Sequence, residues 1–394
     1  MVLSLTSTPP ANAFVDENCL AQKQDCFPLK LFFCKSCAHV QLLDVVDPRI
    51  LFEHYVYVSG TSPVFVRHFQ DYANDVVARF APTSGGLIVD VGSNDGTLLR
   101  YFQDQGYKVL GIDPAMEIAE SASQSGIETK SAFFTRDLAA ALRQEYGPAT
   151  VVTANNVFAH ADDLGGILAG IRTLLDKDGV FVFEVSYLLD VMEKCLFDTI
   201  YHEHLAYHSI KPLQKFFADN GMQLIDVQRV DSHGGSLRGF VQRDDGTRTV
   251  STNVAEAIAV EEAVGLDREE TYHAFAARIE QIKGELNDLL KSIKAENKTI
   301  AGFGAPAKAT TLMYHFNIGP DMIDYIVDDS PLKQNLFSPG LHIPVVPSDV
   351  LATQKPDYVL ILAWNFAEPI MSNHKHFTSS GGHFIVPLPE IKVY

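Results

Sequence analysis

Between Thr199 and Ser209 the stretch TIYHEHLAYHS gathers Tyr201, His202, Glu203, His204, Tyr207 and His208 into eleven residues. An imidazole titrates near neutrality, and a neighbouring carboxylate orients it and raises its basicity, so such a group can hold a metal or move a proton. The helical zinc pattern H-E-x-x-H fails here, because Ala206 stands where its second histidine belongs, although His204 and His208 keep an i,i+4 spacing. Proton abstraction is the better use of the cluster, with solvent-exposed histidines as the inert alternative. Position favours chemistry, because the cluster follows the strand-like run FVFEVSYLLD and falls on the same sheet edge as a glycine loop.

That loop lies in LIVDVGSNDGTLL, where a buried strand ends at Asp90 and a turn of Gly92, Ser93, Asn94, Asp95 and Gly96 leads into an apolar helix near Thr97. Seventeen residues after Gly96 a second strand ends in GIDPA, placing Asp113 where a carboxylate accepts hydrogen bonds from ribose hydroxyls. Nucleotide-binding and S-adenosylmethionine-binding folds share this order. Two features favour S-adenosylmethionine over NAD. The loop is not G-x-G-x-x-G and carries Asp95, whose charge suits a sulfonium or amino group better than a pyrophosphate, and an antiparallel hairpin is predicted after the last parallel strand. Asn155 and Asn156 end a further strand at the ligand-binding edge, and His160 follows them. A helix cap or solvent exposure is the inert alternative for His160.

Two more turns could hold an anion. IAGFGAPAKATTLM sets Gly302, Gly304 and Lys308 at a strand-to-helix turn, and DSHGGSLR offers His233, Gly234, Gly235 and Arg238. Together they suggest a diphosphate-bearing substrate. Of five cysteines, Cys34 and Cys37 alone stand at the C-x2-C spacing that grips zinc, which is half a site.

The elements that must carry these groups follow from the patterning. Residues 1–80 read as an irregular, cysteine-bearing module ending in the helix SPVFVRHFQDYANDVVARF. Residues 81–245 carry LIVDVGS, YKVLGID, ATVVTANNVF and GVFVFEVS as buried parallel strands, closed by the hairpin LIDVQRV and LRGFVQR. Residues 246–297 read as a helical linker of two helices joined near GLDREE, and 298–394 as a second α/β unit with the strands KTIAGFGA, IDYIVDD and DYVLILAW. The fold class is therefore α/β, two α/β domains behind a small N-terminal module, which the resemblance set out next implies to be a Rossmann-like methyltransferase domain and a C-terminal Rossmann-like domain. With 31 Lys+Arg against 49 Asp+Glu, a net charge of −18 argues against duplex nucleic acid and anionic membranes as partners. The chain has no apolar stretch near the ~20 residues of a membrane span and reads as a cytoplasmic protein.

In order along nearly the whole chain, PPANAF, FPLKLFFCKSCAHVQL, YVYVSGTSP, DVGSNDGTLL, YHEHLAYHS, HGGSLR, GFGAPAKATTLMYHF, VDDSPLKQNLFSPGLHIPV and LAWNFAEPI resemble the nucleotide-sugar C-methyltransferases, which act on dTDP-linked 4-keto-deoxysugars. The resemblance implies an N-terminal zinc-binding module, S-adenosylmethionine as cofactor, and a C-terminal domain that helps hold the nucleotide sugar. It assigns Tyr55, His160, Tyr201, Glu203 and His204 to the active site, with His204 as general base. The first C-x2-C pair of the family is missing ahead of PPANAF, and Cys19 and Cys26 do not occupy ligand positions, so the zinc site at Cys34 and Cys37 is expected to be incomplete. The expected partner is a nucleotide-linked keto sugar, and the expected state is a monomer. An O-methyltransferase of the same fold and an NAD-dependent sugar oxidoreductase are the rival readings.

Overall fold

The computed structural model describes residues 1–52, 60 and 63–394, the side chains of Pro63 and His233 excepted. Tyr55 lies outside the described residues.

The front of the chain is not irregular: it forms an antiparallel sheet of β1 (Leu3–Thr8), β2 (Phe27–Phe33) and β3 (Val40–Leu42). Leu3, Leu5, Leu29, Leu31, Val40 and Leu42 alternate inward and supply its buried face. The helix Pro63–Phe80 then packs Tyr72, Ala73 and Val76 against Ile88, Leu99 and Val180 of the central unit.

The central sheet opens with β4 (Leu87–Val91), β5 (Lys108–Asp113), β6 (Thr129–Ser131), β7 (Ala149–Asn155) and β8 (Leu175–Ser186), all parallel. Every residue of β4 is buried, as a strand covered by helices on both faces requires. The chain next detours through β9 (Ala206–Tyr207), which pairs with β3 and so ties the histidine cluster to the first sheet. The hairpin β10 (Met222–Val230) and β11 (Ser236–Arg243) completes the central order β10-β11-β8-β7-β4-β5-β6, with β11 antiparallel to β8. Strand order reverses between β4 and β7, and the carboxyl ends of strands at such a reversal are where open α/β sheets take ligands.

Helices Thr252–Val264 and Glu269–Ala295 connect to the last unit, the second burying a stripe of Tyr272, Phe275, Ile279, Ile282, Leu286, Leu290 and Ile293 at helical spacing. There β12 (Ile300–Phe303), β13 (Ile326–Val327), β14 (Val345–Val346), β15 (Tyr358–Ile361), β16 (His383–Val386) and β17 (Lys392–Val393) form the sheet β14-β13-β12-β15-β16-β17, parallel except for β17. It too reverses order at its first strand, between β13 and β15. Buried residues of all three sheets belong to one continuous hydrophobic cluster. No described helix is long and apolar enough to cross a membrane.

Candidate active site

A cleft of about 960 Å³ is lined by all three units, from Asn12 at the front through the β4 and β7 strand ends to Lys308 and Lys333 at the back. On its central wall Gly92 and Gly96 adopt φ of +71° and +75°, and a Cβ on Gly92 would meet Val157 at 2.2 Å, so glycine is required at that turn. Asp113 ends β5 and accepts the backbone N–H groups of Asn94 at 2.8 Å and Ala115 at 2.9 Å, which ties the glycine loop to the neighbouring strand. Burial raises its carboxyl above the usual range while those two donors oppose the rise. Burial lifts Asp90 to about 7, although the Thr153 hydroxyl, donating at 2.6 Å, favours the anion.

Asp95 lines the same wall, but both its oxygens are engaged, one by the Thr97 amide and hydroxyl at 3.2 and 2.7 Å and the other by the Gly60 amide at 2.8 Å. It thereby holds the first amide of the helix Thr97–Asp104 and the Gly60 amide. Ser93 Oγ and both amide atoms of Asn155 are buried at the cleft with no hydrogen-bond partner among the described residues. A glycine cradle, a strand-end carboxylate and buried polar atoms awaiting partners fit a ligand that carries an adenosine and an amino acid.

The facing wall answers what the histidine cluster does. Of its three imidazoles, His204 lines the cleft. His202 is buried and donates to the Phe27 carbonyl at 3.2 Å, fastening the turn to β2, and His208 is buried against Phe158, with ring centroids 5.5 Å apart. His204 Nδ1 lies 2.7 Å from the Thr199 carbonyl oxygen. A carbonyl only accepts, so Nδ1 carries the proton and Nε2 the lone pair of the neutral ring. The ring of Tyr201 lies 4.2 Å from that of His204, His160 stacks on the other side at 5.1 Å, and Phe52 continues the stack 5.6 Å from His160. Burial and the neighbouring His204 hold His160 well below the ordinary histidine range, so it remains neutral. Its Nε2 has no partner among the described residues. Glu203 is buried, and Asn12 donates to it at 3.0 Å.

The third wall comes from the C-terminal unit. Gly304, at φ +88°, forms the turn after β12, where a Cβ would meet Ala363 at 2.4 Å. That turn starts the helix Ala307–Phe316 and brings Lys308 to the cleft. The Lys308 ammonium is 3.6 Å from the buried Asp198 carboxylate and 4.4 Å from the centre of the Trp364 ring, and the Trp364 indole donates to Asp198 at 2.6 Å. Burial pushes the Lys308 amine down, against the pull of Asp198. Lys333 also reaches the cleft and donates to the Ala305 carbonyl at 2.7 Å. Asp328 at the end of β13 accepts the amides of Ala305 and Ser330 at 2.6 and 2.7 Å, repeating the way Asp113 ties its own loop.

Among the described residues, Gly234, Gly235 and Arg238 do not line this cleft, contrary to expectation, and the His233 side chain lies outside the described residues. Arg238 pairs in register with Glu184 and binds it through two nitrogens at 3.1 and 2.9 Å, while Gly235 lies against Asp190 and Gly234 against Leu196. The reason is topological: β11 is inserted next to β8, so its arginine faces a carboxylate inside the sheet layer. Asn12, Asp198 and Lys333 were missed in the sequence. Asp198 immediately precedes the histidine cluster, which was its one available signal.

Cys34 and Cys37 sit in a turn closed by the Ala38 amide donating to the Cys34 carbonyl at 2.8 Å. Cys19 lies against Asp16, Cys26 against Tyr314, and His39 against His208, with ring centroids 5.7 Å apart. Among the described residues no group of three or more His, Cys, Asp or Glu is placed to hold a metal.

Three family models match the chain: "Putative zinc binding domain" at residues 1–52, "Methyltransferase domain" at 65–227 and "C-methyltransferase C-terminal domain" at 231–389. The C-methyltransferase NovU of Streptomyces niveus is 37% identical over 392 residues, 100% of this chain and 93% of that protein. Among solved structures, magnesium protoporphyrin IX methyltransferase of Synechocystis PCC 6803 with bound SAM is 18% identical over 46% of this chain and 81% of that one, with a TM-score of 0.34. An S-adenosylmethionine-dependent methyltransferase of Clostridium acetobutylicum is 13% identical over 46% and 92%, with a TM-score of 0.37. Likenesses that weak add nothing to the topology described above. The match to NovU spans all three units, and the chain belongs to the S-adenosylmethionine-dependent C-methyltransferase family.

Proposed function

We propose that this C-methyltransferase acts on a nucleotide-linked 4-keto-deoxysugar of the dTDP-linked class and methylates the carbon beside the ketone. The observation that carries the reading is the His204 imidazole, its tautomer set by Thr199, lining the same cleft as the glycine loop and two half-buried lysines. A carbon acquires nucleophilicity when a neighbouring ketone spreads the negative charge of proton loss onto oxygen. His204 Nε2 takes that proton, and Glu203 tunes the base.

Tyr201, with His160 and Tyr55, donates to the developing enolate oxygen, a role commonly worth ~2.7–4 kcal/mol in other enzymes. His160 suits this because it stays neutral beside His204. Lys308 and Lys333 face the diphosphate, whose charge would pair with these two half-buried ammonium groups. S-adenosylmethionine, held at Gly92–Gly96, Asp113 and Asn155, supplies an electrophilic methyl group. Asp113 would accept from the ribose.

Incubation with methyl-labelled S-adenosylmethionine and a panel of dTDP-linked 4-keto-deoxysugars, read by mass spectrometry, should show label on a sugar carbon. Transfer only to the corresponding 4-hydroxy sugars, or to an oxygen, would refute the substrate assignment.

A further inference from the structure

The segment Pro9–Val15 crosses from the first sheet to the C-terminal unit and passes the catalytic turn on the way. A turn closed by the Ala13 amide donating to the Pro10 carbonyl at 3.1 Å holds Asn12 at its third position. On one side the Thr310 hydroxyl donates to the Ala11 carbonyl at 3.0 Å, and on the other the Gln24 amide donates to the Ala13 carbonyl at 2.8 Å. Beyond that, Val15 and Phe337 exchange two backbone hydrogen bonds at 3.1 and 2.8 Å, and the Lys333 ammonium lies 5.5 Å from the centre of the Phe14 ring. Asn12 is thus clamped from both ends, lines the cleft, and donates from its side-chain amide to Glu203, 191 residues away, at 3.0 Å.

We propose that Asn12 is a positioning residue for methyl transfer, whose amide holds the buried Glu203 carboxylate as an oriented acceptor beside His204. The inference rests on Glu203 taking part in the proton transfer proposed above. The charged group that faces Glu203 from the C-terminal unit is Lys333, Asn12 faces it from the front segment, and His204 and Tyr201 flank it on its own turn. A donated N–H favours the ionised carboxylate, so losing it leaves a buried anion one hydrogen bond short. The N-terminal unit thereby contributes to the chemistry through its front segment, independently of any metal at Cys34 and Cys37.

Asn12→Leu removes the donor at similar volume, Asn12→Asp replaces it with a like charge, and Asn12→Gln retains an amide. The ionisation of Glu203 is followed by infrared difference spectroscopy of each protein against its Glu203→Gln partner across pH, alongside melting temperature, kcat and KM. The midpoint for Glu203 should rise by about one pH unit in Asn12→Leu and further in Asn12→Asp, with partial return in Asn12→Gln. The kcat of Asn12→Leu should fall roughly 10-fold at nearly constant KM, and the acid limb of its pH–rate profile should move up with the midpoint. An unmoved midpoint in both Asn12→Leu and Asn12→Asp overturns the proposal, even if either is less stable. A midpoint that moves while Glu203→Gln retains full activity keeps the Asn12–Glu203 coupling and instead refutes the catalytic role given to Glu203.

Discussion

The Thr199 carbonyl fixes the proton of the neutral His204 ring on Nδ1. Asp113 uses each carboxylate oxygen to hold one backbone amide, at Asn94 and Ala115, and retains lone pairs for ribose hydroxyls. Asp113→Ala should therefore weaken S-adenosylmethionine binding by roughly 10–100-fold, through lost acceptors and a released loop, as calorimetry would show. An unchanged affinity would remove Asp113 from the site. In the function proposed above Lys308 is the counterpart for the sugar nucleotide: it is half-buried, and its buried ammonium lies 3.6 Å from Asp198 with no hydrogen-bond partner among the described residues. Lys308→Met should raise KM for the keto sugar about 10-fold or more while leaving S-adenosylmethionine affinity unchanged, and steady-state kinetics with calorimetry would separate the two. A rise in both constants would point to collapse of the cleft rather than loss of a phosphate contact.

Among the elements, the hairpin β10–β11 carries the clearest energetic signature. Glu184 on β8 accepts from Arg238, the Ser232 hydroxyl at 2.5 Å and His68 at 2.9 Å. Burial alone would raise its carboxyl, but His68, Arg238 and Ser232 outweigh burial and hold it at about 2, below its ordinary 4.5. A carboxylate with a depressed folded value stabilises the fold above the unfolded value, and that stability drains away as pH falls from about 4.5 toward 2. Glu184→Gln, which leaves Arg238 buried without its anion, should cost on the order of 3 kcal/mol at pH 7 in denaturant unfolding. The deficit should shrink as the pH falls through that window, and a deficit independent of pH would argue for a packing defect. The strands β4, β5, β7 and β8 were legible because each is a largely apolar run between turns, whereas β6, the polar tripeptide Thr129–Ser131, was not. The first sheet was not read, because β1 alternates polar and apolar residues instead of forming an apolar run and the fourth member, β9, comes from beyond residue 200. Arg238 was misread for a related reason: a glycine turn followed by an arginine looks like an anion site, and only the insertion of β11 beside β8 turns it toward Glu184.

At the scale of the whole molecule, each sheet contributes one requirement to a single cleft: the glycine loop and Asp113 from the centre, the lysines from the C-terminal unit, and Asn12 from the front. The loop, Asp113 and Lys308 could be read from strand-to-turn spacing, which is local. The partnership of Asn12 with Glu203 could not, since it spans 191 residues, and the residue pattern alone did not separate His204 from His202 and His208, which the family resemblance did. We propose that this assembly removes a proton from the carbon beside the ketone before any methyl group moves. With a dTDP-linked 4-keto-deoxysugar and the demethylated cofactor product in heavy water, the wild-type protein should wash deuterium into that carbon faster than an enzyme-free control. His204→Ala should lose this exchange together with methylation, by the ~10²–10⁴-fold typical of a missing general base, while still binding S-adenosylmethionine. Exchange at the wild-type rate in His204→Ala would contradict the account.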